Sequence, residues 1–178
     1  MGYWHTRGLR GSALEDLINY TNDILRQRGL ALVQKIPTPI TPMKYSKDER
    51  IITLAYFDSK STVDYIGAVQ GIPICFDAKQ TGQKHLPIQN IHPHQIDFME
   101  DFNRQGGVAF LLVYFSLYDK YFFLPIDSLK AFWQKAQNGG RKSIPYNAFE
   151  PKYELRLEKD SVLNYLEGIN TYLKQKEI

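Results

Sequence analysis

TVDYIGAVQGIPICFDAK, residues 62–79, is the stretch on which the fold turns. Two strand-like runs, 62–69 and 72–79, flank Gln70-Gly71. A two-residue linker ending in glycine predicts a tight β-hairpin, because such turns need positive φ. With that turn Val69 faces Ile72, so Asp64 falls across from Asp77 and Thr62 across from Lys79. Side chains alternate faces along a strand. Ile72, Ile74, Phe76 and Ala78 are therefore expected on a core face. Cys75, Asp77 and Lys79, with Thr62 and Asp64, are expected on a polar one.

Two carboxylates opposed on one sheet face repel each other. Either one of them holds a proton or a cation neutralises the pair. Mg²⁺ fits, since it takes one or two carboxylates and fills its octahedron with water and substrate phosphate. Such an ion activates water and stabilises charge on a scissile phosphate. Lys79 brings a further cation to the same spot. The plainer alternative is a surface network of Asp64, Asp77 and Lys79 without metal.

Working outward, residues 12–28 read as a helix. Ser12 and Glu15 form a capping box, and Leu14, Leu17, Ile18, Thr21 and Leu25 make one apolar stripe that ends at Gly29. A strand is expected over 31–36. Three prolines in the next six residues (Pro37, Pro39 and Pro42) cannot pair inside a sheet. Residues 37–50 should therefore project as an arm, with 51–57 returning as a strand. A polar segment over 81–93 precedes an amphipathic helix over 94–105, a buried strand over 108–117 and a pairing strand over 120–124. Helices over 127–137 and 161–174 complete the chain. This order predicts one α/β domain spanning 1–178, with a mixed central sheet flanked by helices and the arm as part of it.

At 178 residues with 43% hydrophobic content, the chain is long and apolar enough for a real core, which excludes wholesale disorder. It has no apolar run of membrane-spanning length and no signal-like N-terminal run, so a cytoplasmic chain with no membrane partner is expected. A single cysteine excludes a disulfide framework and a cysteine-built zinc site. Net charge is only +3, but it is unevenly spread. The windows 1–14, 24–47, 78–96 and 128–149 carry 13 of the 22 lysines and arginines and none of the 19 acids. If they converge in space they form a phosphate-binding face. If they scatter, they are ordinary solvated surface.

Asp followed by Asp-x-Lys on a hairpin resembles the PD-(D/E)xK nuclease superfamily. KIPTP, AYF, STVDY, FDAK, HPHQI, QGG and NGGRKSI follow in order. Together they resemble the RecU-type Holliday junction resolvases, also called penicillin-binding-protein-related factor A. The resemblance runs from about Gly8 to Ile144, with a weaker continuation beyond.

It implies a restriction-endonuclease-like core with a protruding stalk. It also implies an endonuclease that resolves Holliday junctions by paired symmetric nicks in DNA recombination and repair. Thr62, Asp64, Asp77 and Gln95 match the family's magnesium-binding positions, with Mn²⁺ able to substitute, and Lys79 matches the transition-state lysine. Catalysis would then rest on Asp64, Asp77 and Lys79. Two symmetric nicks imply a homodimer, with four-way junction DNA as substrate and a recombinase as a further partner. The family usually carries glutamate at the position of Asp77, one methylene longer. Many superfamily members place proline where Val63 stands, a lack that RecU-type chains share.

Other residues have two readings. Glu15 matches a family acidic position that could approach the site, or it serves only as the partner of Ser12. His85, His92 and His94 invite a zinc reading, but a loop without fixed spacing suits phosphate or solvent contact better. On the arm, Lys44, Tyr45 and Lys47, with Arg50, suit backbone contact and stacking, or the arm is a plain solvated hairpin. Arg7, Arg10, Arg141 and Lys142 are expected phosphate contacts, the last two helped by exposed N–H groups at Gly139-Gly140. Trp133 and the run YFFL are expected in the core, and Cys75 as a half-buried hydrophobe. Two other functions remain open: a non-catalytic junction-binding module, and a nuclease of this fold acting on another DNA structure.

Overall fold

The computed structural model describes residues 13–37, 39–46, 51–57 and 62–176. Helix α1 (Ala13–Gln27) forms on the expected stripe, burying Leu14, Ile18, Thr21, Asn22 and Leu25. Gly29, at φ +67°, closes it in the left-handed conformation that glycine takes without strain. Strand β1 (Ala31–Lys35) follows. Strands β2 (Ile40–Ser46) and β3 (Ile51–Phe57) then pair antiparallel in a two-stranded sheet of their own. Pro42 is tolerated in β2 because every strand of such a sheet is an edge, and the ladder shifts register on either side of Lys44. The strand 51–57 thus pairs with β2 and is not part of the central sheet.

The body contains β4 (Tyr65–Val69), β5 (Ile72–Thr81), β6 (His85–Pro87), α2 (Pro93–Arg104), β7 (Val108–Phe115), β8 (Lys120–Pro125), α3 (Ile126–Gln137), β9 (Ser143–Pro145), β10 (Glu154–Leu155) and α4 (Tyr165–Lys176). The central sheet runs β1-β4-β5-β7-β8-β10. β5 and β7 are parallel, joined through α2, and every other neighbouring pair is antiparallel. This is the mixed, helix-flanked α/β sheet expected.

One expectation is corrected. The hairpin was expected to carry a core face and a polar face, yet both faces of β5 are packed. Ile74 and Phe76 join the side chains of α1 and α4 in one core. Cys75, on the opposite face, joins Ile96, Met99 and Leu129 of α2 and α3 in a second. Phe76 stacks between Tyr65 and Phe110, with ring centroids 4.8 Å apart on each side. Asp77, on the same face as Cys75, is therefore fully buried, and Lys79 two residues on is only 15% exposed.

Two further stretches differ from expectation. Residues 81–93 are not a free polar loop: Leu86, Ile88 and Ile91 are buried, and β6 pairs with β9. The last helix starts at Tyr165 rather than at 161. Ser161 takes φ +65°, and the N–H of Leu163 donates to Thr21 Oγ1 at 3.0 Å, so residues 161–163 are spent on docking against α1.

Candidate functional site

The expected register holds from Val69–Ile72 to Tyr65–Phe76 and stops there. Gln70 and Gly71 take up the turn with φ of +48° and +89°. Beyond Tyr65 the strands are joined by side chains instead of carbonyls. The N–H of Asp64 donates to Asp77 Oδ1 at 2.7 Å, and the N–H of Ala78 donates to Asp64 Oδ2 at 3.1 Å. Each carboxylate thus accepts a main-chain N–H from the other's strand. The Asp64 carbonyl accepts the N–H of Ile36 at 2.8 Å, which ties the residue to the chain leaving β1 as well. Asp64 and Asp77 are brought together as expected, though not as a ladder pair. Thr62 lies exposed on the approach to Asp64, and because the ladder has ended it is not paired across from Lys79.

Asp77 is completely buried. Lys79 Nζ stands 2.9 Å from its Oδ2, an ion-pair distance, but without hydrogen-bond alignment, so Oδ2 receives no hydrogen bond. Lys79 Nζ also lies 3.5 Å from Gln95 Oε1. Gln95 is buried in the first turn of α2, where a capping box fixes it. Its Oε1 accepts the N–H of His92 at 3.0 Å, and the His92 side chain accepts the Gln95 N–H. Four expected site residues therefore converge: Asp64, Asp77, Lys79 and Gln95.

Their environment is electrostatically costly. The Asp64 carboxyl is pushed up to about 6, first by burial and then by the charge of Asp77, while the Ala78 N–H and Lys79 pull it back. Glu15 adds a smaller push in the same direction. Its carboxylate pairs with Lys35 Nζ at 2.5 Å, and Ser12, its expected capping partner, lies outside the described residues.

A divalent ion can be tested against these groups. Among the described residues no three of His, Cys, Asp and Glu converge, so a closed protein cage is absent. What is present is two adjacent carboxylates, a buried carboxylate oxygen with unused lone pairs, and an amide oxygen near the same ammonium. That all-oxygen set, incomplete by itself, fits a hard cation that keeps water and takes substrate phosphate.

The histidines form no joint site. His92 caps α2, His94 stacks on it with ring centroids 5.4 Å apart, and His85 pairs with Pro145 in the β6–β9 ladder. Arg141 and Lys142 are exposed, with Arg141 Nε donating to Ser143 Oγ at 3.0 Å. The carbonyl of Lys142 accepts the N–H of Ile88 at 3.1 Å, which holds this loop close to the start of α2. The Gly140 N–H is not open to phosphate as expected, because it donates to Lys135 O at 2.8 Å. A helix C-terminus has carbonyls to satisfy, and the glycine is used for that closure.

Lys44 is exposed on β2. Arg7, Arg10, Lys47, Arg50 and the side chain of Tyr45 lie outside the described residues. Phe122 and Phe123 are core residues on opposite faces of the sheet, and Trp133 packs half-buried against the core that holds Phe122. Cys75 is fully buried rather than half-buried, its thiol pushed up to about 12 by burial and by Asp77. Two contributors escaped the sequence reading. His92 was legible, since Pro93 and Gln95 occupy the first and third helical positions that a capping box uses. The Lys35–Glu15 pair joins a strand end to a helix start and leaves no local pattern.

The sequence profile of the family described as RecU, Recombination protein U, matches residues 9–171. The Holliday junction resolvase RecU of Pediococcus pentosaceus is 37% identical over 172 residues, covering 94% of this chain and 86% of that protein. Its counterpart in Geobacillus kaustophilus is 42% identical over 145 residues, covering 79% and 72%. Among solved structures, the Holliday junction resolvase Hjc of Archaeoglobus fulgidus overlaps 61% of this chain and 75% of its own, at 12% identity and a TM-score of 0.37. With a profile matching nearly the whole chain, and relatives well above a third identical over most of their length, the chain belongs to the RecU family.

Proposed function

We propose that this chain is a divalent-metal-dependent endodeoxyribonuclease that resolves Holliday junctions by paired symmetric nicks. The observation that carries the reading is the buried Asp77 Oδ2, without a hydrogen-bond donor, beside Asp64 and Lys79. Lys79 supplies that oxygen with a counter-charge but no hydrogen bond, so it keeps lone pairs that a divalent ion would take. The relatives' names supply the substrate, four-way junction DNA.

In this reading Asp64 and Asp77 hold Mg²⁺, or Mn²⁺ in its place, and Gln95 and Thr62 lend oxygens as their positions allow. The ion's contribution is Lewis-acid stabilisation of the phosphate undergoing attack and a lowered pKa for water. The chain's own groups do the positioning. The reciprocal N–H bonds hold the two carboxylates in fixed orientations. Lys79 supplies a positive charge for the extra negative charge that develops on phosphorus-bound oxygen. The capping box holds the Gln95 amide toward Lys79. Lys44, Arg141 and Lys142, with Arg7, Arg10, Tyr45 and Lys47, are assigned to the DNA backbone. A junction has two equivalent strands to nick, so the working unit is a homodimer. A recombinase partner and a cytoplasmic location belong to the same reading. Among the described residues no helix is long and apolar enough to cross a membrane.

Nicking of a synthetic four-way junction and a matched linear duplex, with Mg²⁺ or with EDTA, tests this. Wild type is expected to nick the junction at paired positions only with Mg²⁺. Asp64→Asn should lose about 10²- to 10³-fold or more of that rate while still binding DNA. Equal cleavage of the duplex would overturn junction selectivity. Binding without metal-dependent cleavage would favour a non-catalytic module.

A further inference from the structure

Lys79 sits where the site needs a cation. Its Nζ is 2.9 Å from Asp77 Oδ2 and 3.5 Å from Gln95 Oε1. An ammonium there supplies charge to Asp77 but no aligned hydrogen bond. The lysine side chain is only 15% exposed, and Asp77 is not exposed at all, so solvent screens the pair weakly. Lysine is a point charge on a flexible four-carbon stem, able to hold this position or leave it.

We propose that Lys79 is a stand-in cation: it neutralises Asp77 in the metal-free protein, competes with the divalent ion for Asp77 and Gln95, and turns toward the scissile phosphate only once displaced. The proposal rests on the metal reading above and adds an order of events to it. A divalent ion and an ammonium cannot both sit about 3 Å from one carboxylate oxygen without strong mutual repulsion. Filling the site therefore moves Lys79. DNA bound before the ion meets a site whose lysine is engaged elsewhere. The catalytic lysine is thus withheld until the metal is in place.

The first test is calorimetric titration of the DNA-free chain with Mn²⁺, comparing wild type, Lys79→Met and Asp64→Asn. Removing one competing positive charge should tighten Mn²⁺ binding in Lys79→Met by about tenfold or more, whereas Asp64→Asn should bind more weakly than wild type. Equal or weaker binding in Lys79→Met, with wild-type binding intact, overturns the proposal and leaves the metal reading standing. Binding that is absent, or indifferent to Asp64, overturns the metal reading and this proposal with it.

Because Lys79→Met leaves Asp77 buried without its counter-charge, a second measurement uses wild type alone. Lysine acetylation followed by mass spectrometry should report several-fold greater labelling of Lys79 with Mg²⁺ than with EDTA. Lys130, paired with Glu100 at 2.8 Å away from the carboxylate pair, should be unchanged. Labelling of Lys79 that stays level or falls on adding Mg²⁺ overturns the proposal.

Discussion

Asp64 concentrates the tension of this site in one residue. Its carboxyl is raised from 3.8 to about 6, mainly by burial and then by Asp77. A carboxyl raised on folding binds its proton more tightly in the folded chain than in the unfolded one. Stability is therefore lost as pH rises from about 4 to about 6, and the loss persists above. Asp64→Asn removes the charge and keeps an oxygen for the Ala78 N–H. In EDTA at pH 7.5 the variant should gain on the order of 1–2 kcal/mol after allowance for partial solvent exposure, with the gain gone near pH 4. Thermal melts at the two pH values measure this, and a variant less stable at pH 7.5 would mean that burial is not the dominant cause. Asp64, Asp77 and Lys79 were legible as a polar cluster from the turn dipeptide, but Asp-x-Lys is a short and common pattern, and only the family resemblance gave it a role and added Thr62 and Gln95. The reciprocal N–H bonds were not, since nothing local announces where a ladder will end.

At the scale of elements, β1 and β4 meet more closely than side chains allow. A Cβ on Gly67 would lie 2.2 Å from the carbonyl oxygen of Leu32, a backbone atom that cannot swing away. Gly67→Ala should therefore cost about 2 kcal/mol or more, read as a drop in urea midpoint, because strands must part to admit the methyl. The change also reaches the site, since the chain leaving β1 binds the Asp64 carbonyl through Ile36. The hairpin register was readable because its turn dipeptide dictates the pairing. The packing of its second face was not. Cys75 alternates with Ile74 and Phe76 as any outward residue would, and only α2 and α3, distant in sequence, bury it. The start of α4 at Tyr165, four residues later than the apolar pattern places it, has a similar reason. Residues 162–163 carry a helix-like apolar pattern but dock on Thr21.

Across the whole molecule, the site is built where several elements end. The approach to β4 reaches it through Asp64, the later part of β5 through Asp77 and Lys79, and the start of α2 through Gln95. The loop with Arg141 and Lys142 is held beside Ile88, close to α2, and the arm leaves from the end of β1. Arg141 and Lys142 thus lie on a loop tied to the segment that leads into α2, although net charge is only +3. Junction affinity should fall steeply with salt. The double variant Arg141→Ala and Lys142→Ala should flatten the slope of log affinity against log salt by about 1–2 units, with thermal stability unchanged. An unchanged slope would remove that loop from the DNA interface.

The amino-acid sequence by itself determined the turn of the central hairpin, its pairing from Val69–Ile72 to Tyr65–Phe76, and the amphipathic helices. These follow from short-range spacing, turn chemistry and residue type, which act within a few residues. Only the tertiary structure decided that both faces of β5 are buried, that each aspartate accepts an N–H from the other's strand, and that Lys79 rests against Asp77 and near Gln95. Burial and charge coupling depend on which distant elements close over a residue, and no local pattern encodes that closure.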